Sequence, residues 1–182
     1  MERGMIPREK ADALKLLILD VDGVLTDGQI TITEQGEEIK SFDVKDGYGL
    51  RVLMGEGVEV VLISGRRSKA VDCRARDLGI REVHQGVRDK GPLCEEIIRQ
   101  RGLNKDEVCC VGDDLPDLPL FEKAGIRFAV SDASVVMKGL ADYVTKRRGG
   151  HGAVREVCEI ILESRGSDLF RPRQNSSLQC RP

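Results

Sequence analysis

The sequence contains no tryptophan, and aromatic residues make up only 3% of its 182 positions. Its core must therefore rest on Leu, Ile and Val. No sign of charge predominates: 29 Lys and Arg face 31 Asp and Glu, for a formal net charge of -2 at pH 7. A general nucleic-acid binder carries a clear basic excess, which is missing here. No apolar run approaches the roughly 18 to 20 residues needed to span a bilayer. The opening "MERGMIPREKADALK" lacks the apolar segment of a secretory signal. These absences predict a cytoplasmic protein without nucleic-acid or membrane partners. Histidine occurs twice, and the six cysteines contain no C-x-x-C pair, which argues against a zinc site. Cys109 and Cys110, inside "EVCCVGDD", are expected as small packed core residues.

What is present alternates. "LKLLILD", "VEVVLIS" and "EVCCVGDD" are short apolar runs ending in polar residues, as strands of a two-sided parallel sheet are. "IRFAVSD" and "DYVT" are shorter candidates. Helical spacing follows in "GPLCEEIIRQRG", opened by Pro92 and closed by Gly102, and in the last helix through Val154, Val157, Cys158, Ile161 and Leu162. Alternation of this kind predicts an α/β fold, a parallel Rossmann-like sheet with helices on both faces. One segment departs from it: "GQITITEQGEEIKSFDVKDG" reads as a β-hairpin around Gln35-Gly36, inserted after the first strand. Residues 1–13 read as a leader, 14–164 as a single domain, and 165–182, which lose all periodicity, as a disordered tail.

The acids fall at strand ends. Asp20 and Asp22 close the first strand in "LLILDVDGVLTDG", Ser64 closes the second long one, and Asp113 and Asp114 follow the third. Lys90 stands where "RDKGP" enters a helix. In a parallel α/β sheet ligands bind beyond the carboxyl ends of the strands, so these groups are expected on one rim. Taken singly, each has a plainer reading: Asp is common in turns after strands, Ser64 can cap a helix, and a lone lysine is usually a solvated charge. Together they form an inventory for phosphoryl transfer around a hard cation. Asp20 and Asp113 offer the oxygen ligands that Mg²⁺ prefers. A carboxylate beside the cation can attack phosphorus, and a second, Asp22, can pass protons to the leaving alcohol and from water. Ser64 and Lys90 can hold and neutralise the transferring oxygens.

The segments "DVDGVLTDG", "LISGRRS", "DKGPL" and "VGDDLPDLPLF" resemble the four motifs of the haloacid dehalogenase-like superfamily. The likeness is closer to its 3-deoxy-D-manno-octulosonate 8-phosphate (KDO 8-phosphate) phosphatase family. It runs from about Leu14 to Leu162 and includes "FDVKDGYGL" and "GGHGAVREVCEIIL". The resemblance implies that Asp20 is the nucleophile and Asp22 the general acid/base. It implies Mg²⁺ on Asp20, on the backbone carbonyl of Asp22 and on Asp113, supported by Asp114 and Asp117. It places substrate at Asp22, Asp43, Val44, Lys45, Asp46, Gly47, Arg51, Arg66, Arg74 and Lys90. Guanidinium groups suit the carboxylate and phosphate of an acidic phosphosugar.

Neither interval between motifs holds a cap domain, and relatives of this kind cover the site by forming a homotetramer. The hairpin, and the "GGHGAVRE" region reaching a neighbouring site, are expected to serve that assembly. Many relatives carry Arg where this chain has His151, which supplies charge only when protonated, with an ordinary pKa of about 6.5. The alternatives are the same chemistry on a nine-carbon acid sugar, an N-acylneuraminate or KDN 9-phosphate, and an inactive tetramerisation module. "GRRSK" resembles the KDO form, and the KDN branch is expected to carry Glu near this loop. The filled catalytic positions, and the lack of a second domain to organise, argue against the module.

Overall fold

The computed structural model describes residues 5–168. The chain runs through α1 (Arg8–Ala13), β1 (Leu16–Leu19), β2 (Thr31–Ile32), β3 (Glu38–Ile39), α2 (Val44–Gly55), β4 (Glu59–Ser64), α3 (Lys69–Leu78) and β5 (Glu82–Gln85). It continues through α4 (Lys90–Gln100), β6 (Val108–Gly112), α5 (Leu118–Lys123), β7 (Ile126–Ala129), α6 (Val135–Leu140), β8 (Tyr143–Val144) and α7 (Ala153–Ser164). Six strands form one sheet in the order β5-β4-β1-β6-β7-β8, parallel throughout. The expected α/β fold, with helices on both faces, is the observed one.

The apolar runs explain the sheet's centre. All four residues of β1 and all five of β6 are buried, as strands covered on both faces must be. Cys109 and Cys110 lie among them, fully enclosed, and burial pushes both thiols well above their usual range. β5, which sequence patterning did not reveal, has a single apolar residue in "EVHQ" and lies at the sheet edge, half-buried throughout. α4 begins two residues before Pro92, because the Asp89 side chain accepts from the Gly91 N–H and caps it.

Ahead of β1, α1 packs against α7. Ile6 is buried, and its N–H donates to Ser164 Oγ at 3.1 Å. At the other end, Arg165 binds the carbonyls of Ala11 and Glu56 at 2.8 and 3.2 Å. The remainder of the expected tail, 169–182, lies outside the described residues. The expected hairpin is present as a two-stranded antiparallel ribbon, Thr31 facing Ile39 and Ile32 facing Glu38, with Gly36 at φ 81° in its turn.

The sheet order carries the functional consequence. The chain leaves β1 for β4 on one side and reaches β6 on the other, so the crevice beyond the carboxyl end of β1 is a topological switch point. Asp20, Ser64 and Asp113 are the residues at or just beyond the ends of these three adjacent strands.

Candidate active site

The turn after β1 explains the acids and glycines of "DVDGVLTDG". Asp20 continues the ladder by donating its N–H to Val111 O at 3.1 Å. The chain then folds around the buried Thr26. Its hydroxyl oxygen accepts from the Gly23 and Gly28 N–H groups at 3.3 Å each, and its O–H donates to Val21 O at 3.4 Å. Gly23 sits at φ 99°, and a Cβ there would lie 2.2 Å from Asp113 Oδ2, so only glycine lets this turn approach the acid after β6. A second pair of glycines braces it from outside. Gly150 N–H donates to Val24 O at 3.0 Å, and a Cβ on Gly149 would fall 1.7 Å from Gly23 O.

Four charged groups meet inside. Lys90, in the first turn of α4, is 2% exposed. Its ammonium donates to Asp20 Oδ1 at 2.5 Å and Asp117 Oδ1 at 2.6 Å. Asp117 also accepts the Asp113 N–H, at 3.0 Å. Oxygens from Asp20, Asp113 and Asp117 lie within 4.8 Å of one another. Burial, then repulsion from Asp117, raises the Asp20 carboxyl to about 7 against the pull of Lys90. Burial, then repulsion from Asp20 and Asp117, raises Asp113 to about 8. Burial disfavours the Lys90 charge, but the two carboxylates outweigh it and raise its pKa.

One ammonium among three crowded carboxylates leaves an excess of negative charge, and a divalent cation with oxygen ligands is the chemistry that relieves it. The residues fit Mg²⁺ on that ground. Asp117, expected as support, belongs to the same cluster, with one oxygen accepting from Lys90 and the other from the Asp113 N–H.

Asp22 projects separately. Its Oδ2 accepts from Ser64 Oγ at 2.9 Å, and its Oδ1 is bonded to the Lys40 ammonium from the hairpin. Burial opposes the Lys40 charge, yet its bonds to Asp22 and Glu38 hold its pKa above the ordinary value. A cleft of about 230 Å³ is lined by Asp20, Asp22, Arg66, Lys90, Asp113 and Asp117, together with Gly65, Asp114 and Pro116. A larger cavity of about 460 Å³ opens at the opposite end of the sheet, at the starts of β4 and β5. Its Arg101 is already paired with Glu59, at 2.9 Å, and with Glu82, so size does not make it the site.

Of the expected substrate groups, Asp22, Arg66 and Lys90 line the cleft. The others gather around the start of α2. Asp43 caps that helix by accepting from Lys45 N–H at 2.7 Å, while Val44 and Lys45 face solvent. Asp46 is buried and accepts from the Gly152 and Arg155 N–H groups at 3.3 and 2.7 Å. Arg74 donates to Asp43 O at 3.1 Å and Asp77 Oδ2 at 2.9 Å, and Gly47 leaves the room it occupies. Arg51 binds the carbonyl of the same Asp77. His151 is exposed, in the loop before α7. Lys40 was not anticipated, because a lysine just after a short hairpin strand carries no signal of the direction it faces.

Comparison with known proteins places this geometry. A model of the haloacid dehalogenase-like hydrolase family matches residues 79–157. The 3-deoxy-D-manno-octulosonate 8-phosphate phosphatase KdsC of Escherichia coli K12 is 45% identical over 157 residues, which cover 86% of this chain and 84% of that one. The crystal structure of the phosphatase of that name from Moraxella catarrhalis, in complex with magnesium ion, phosphate ion and KDO, superposes with a TM-score of 0.84 at 41% identity. It covers 87% of this chain and 91% of that one. The cobalt-bound deoxy-D-mannose-octulosonate 8-phosphate phosphatase of Haemophilus influenzae superposes at 0.86, with 41% identity over 91% of this chain and 97% of that one. With these relatives, the parallel sheet and its acid cluster at the switch point are those of a haloacid dehalogenase-like hydrolase. Within that class, the chain belongs to the 3-deoxy-D-manno-octulosonate 8-phosphate phosphatase family.

Proposed function

We propose that this protein is a Mg²⁺-dependent phosphatase that hydrolyses KDO 8-phosphate to KDO and phosphate, a step of lipopolysaccharide precursor synthesis in the cytoplasm. The observation that carries the reading is the cluster of Asp20, Asp113, Asp117 and Lys90 beyond the carboxyl ends of β1 and β6, in a chain 45% identical to a phosphatase of that specificity.

Mg²⁺ would be held by Asp20, Asp113 and the backbone carbonyl of Asp22, with Asp117 and Asp114 in support, and when bound it supplies charge neutralisation to the phosphoryl oxygens. Asp20 attacks phosphorus, and the bond from phosphorus to the sugar oxygen breaks, leaving an aspartyl phosphate. Asp22 gives its proton to the departing sugar oxygen. It then takes a proton from the water that attacks the aspartyl phosphate, which frees inorganic phosphate and restores Asp20. Lys90, fixed between Asp20 and Asp117, offsets charge on the transferring group, and Ser64 offers it a hydroxyl. Arg66, one guanidinium nitrogen of which is bonded to Glu38, lines the cleft and keeps its other N–H groups for the acidic sugar.

The cleft is small and open, and water at the reacting centre handicaps the chemistry. We assign its cover to neighbouring chains in a homotetramer, supported by the exposed Ile30, Ile32 and Ile39 of the hairpin. Asp43–Gly47, Arg51, Arg74 and the loop carrying His151 lie outside the cleft lining, and in this reading they meet substrate where a neighbour's cleft is brought against α2. A solution mass of one chain would remove this part of the reading.

The test is phosphate release from KDO 8-phosphate with Mg²⁺ and with EDTA, by the wild type and by Asp20→Asn. Wild-type turnover is expected to vanish in EDTA and to return with Mg²⁺. Asp20→Asn is expected to keep its fold and lose turnover by at least about a thousandfold, since nothing replaces the nucleophile. Near-normal activity of Asp20→Asn would refute the covalent route.

A further inference from the structure

Lys40 follows β3 directly, and the chemistry above makes no use of it. Its side chain is only 2% exposed. The ammonium is bonded to Asp22 Oδ1 and lies 2.7 Å from Glu38 Oε1. The other Glu38 oxygen accepts from the Arg66 guanidinium at 2.5 Å. The Arg66 backbone N–H donates to Ser64 Oγ at 3.1 Å, and the Ser64 O–H donates to Asp22 Oδ2 at 2.9 Å. Five residues therefore close a ring that begins and ends on the Asp22 carboxylate. It ties together three places distant in sequence: the turn after β1, the end of β4, and the hairpin.

The ring holds Asp22 from two sides, with one oxygen fixed by Ser64 of the sheet and the other by Lys40 of the hairpin. Without the second contact the carboxylate can turn about its side-chain bonds while keeping the first. Burying an ammonium and freezing a long side chain are both unfavourable, and the partners that answer that cost here are the Asp22 and Glu38 carboxylates. Glu38 and Lys40 stand two residues apart, and their side chains meet on the same side of the chain. The pairing of Ile32 with Glu38 and of Thr31 with Ile39 sets which side that is. A slip of one residue would bring Ile39 to the ring in their place.

We propose that Lys40 is a positioning residue for the acid/base Asp22, so that the docked hairpin completes the catalytic geometry of its own chain. The inference rests on the reading of Asp22 as the acid that protonates the leaving alcohol. A sugar alcohol is a poor leaving group and needs that proton, whereas p-nitrophenolate departs without it. Loss of Lys40 should therefore slow the sugar phosphate selectively. General disorder of the cleft would slow both substrates alike.

The experiment compares kcat/KM, which reports the steps through loss of the leaving group, for KDO 8-phosphate and p-nitrophenyl phosphate with Mg²⁺ present. Lys40→Met is expected to lose on the order of 10- to 100-fold on KDO 8-phosphate, the scale of a misplaced catalytic group, and no more than about threefold on the aryl ester. Lys40→Arg, which keeps the charge and the reach, should restore most of the difference. Equal losses on both substrates, or no loss on either, would overturn the proposal. Should Lys40→Met fail to fold in a thermal melt, Glu38→Gln breaks the next link of the ring and is read in the same way. Asp22→Asn separates the two levels of the argument. If it treats both substrates alike, the acid reading fails and the inference with it; if it discriminates and Lys40→Met does not, only the role of Lys40 fails.

Discussion

Asp46 is closed off from solvent in the first turn of α2, and its carboxylate joins that helix to α7 through the Gly152 and Arg155 N–H groups. Burial is the larger influence on it and raises its pKa to about 6, against these hydrogen bonds. The native protein therefore holds a proton at Asp46, between about pH 4 and pH 6, that the unfolded chain has released. The stabilisation is complete below the unfolded value near 3.9 and is lost as pH rises through the native one. The difference amounts to about 3 kcal/mol at most. Chemical denaturation of the wild type and of Asp46→Asn across pH 4 to 7 should show the wild type losing stability relative to the variant over this window. A constant difference would contradict it. The sequence placed Asp46 in "DVKDG" but held no sign of its burial, because the groups that enclose it come from a segment more than a hundred residues away. Asp20, Asp22, Ser64 and Asp113 were legible for the opposite reason: each ends a strand whose apolar run announces it, and parallel strands bring their carboxyl ends to one rim.

Among the elements, β1, β4 and β6 could be read because strands buried on both faces must be continuously apolar. β5 could not, since this edge strand, half-buried throughout, carries no apolar residue but Val83. The loop before α7 was visible as "GGHG" yet silent about its purpose, which is steric. Gly149 lies so close to the Gly23 carbonyl that any side chain displaces the turn carrying Asp22, and Gly23 in turn abuts Asp113. Gly149→Ala is expected to lower kcat by on the order of tenfold to a hundredfold, through misplacement of those acids. It should also lower stability by about 1–3 kcal/mol, as overpacking does. Steady-state kinetics with a thermal melt check both. A variant with wild-type kcat would show that the loop does not brace the site.

For the molecule as a whole, the groups proposed to be catalytic gather beyond the carboxyl ends of the strands of one chain. Several groups that the family resemblance assigns to substrate instead cluster at the start of α2. That division accords with a site completed by neighbouring copies, and a single sequence cannot display it because the groups involved are never adjacent within one chain. On the proposed reading substrate choice belongs to the same scale, since the acid cluster addresses the phosphoryl group alone and the surrounding cations and cover would distinguish one acid sugar from another. The most direct measurement is therefore phosphate release, with Mg²⁺, from KDO 8-phosphate, N-acetylneuraminate 9-phosphate, KDN 9-phosphate and an aryl phosphate compared by kcat/KM. The account predicts that KDO 8-phosphate leads by about a hundredfold or more, a difference of roughly 2.7 kcal/mol in transition-state stabilisation. A nine-carbon substrate in the lead would leave the acid cluster its chemistry and contradict the assignment of substrate. No hydrolysis of any of the four by well-folded protein would contradict the phosphatase itself.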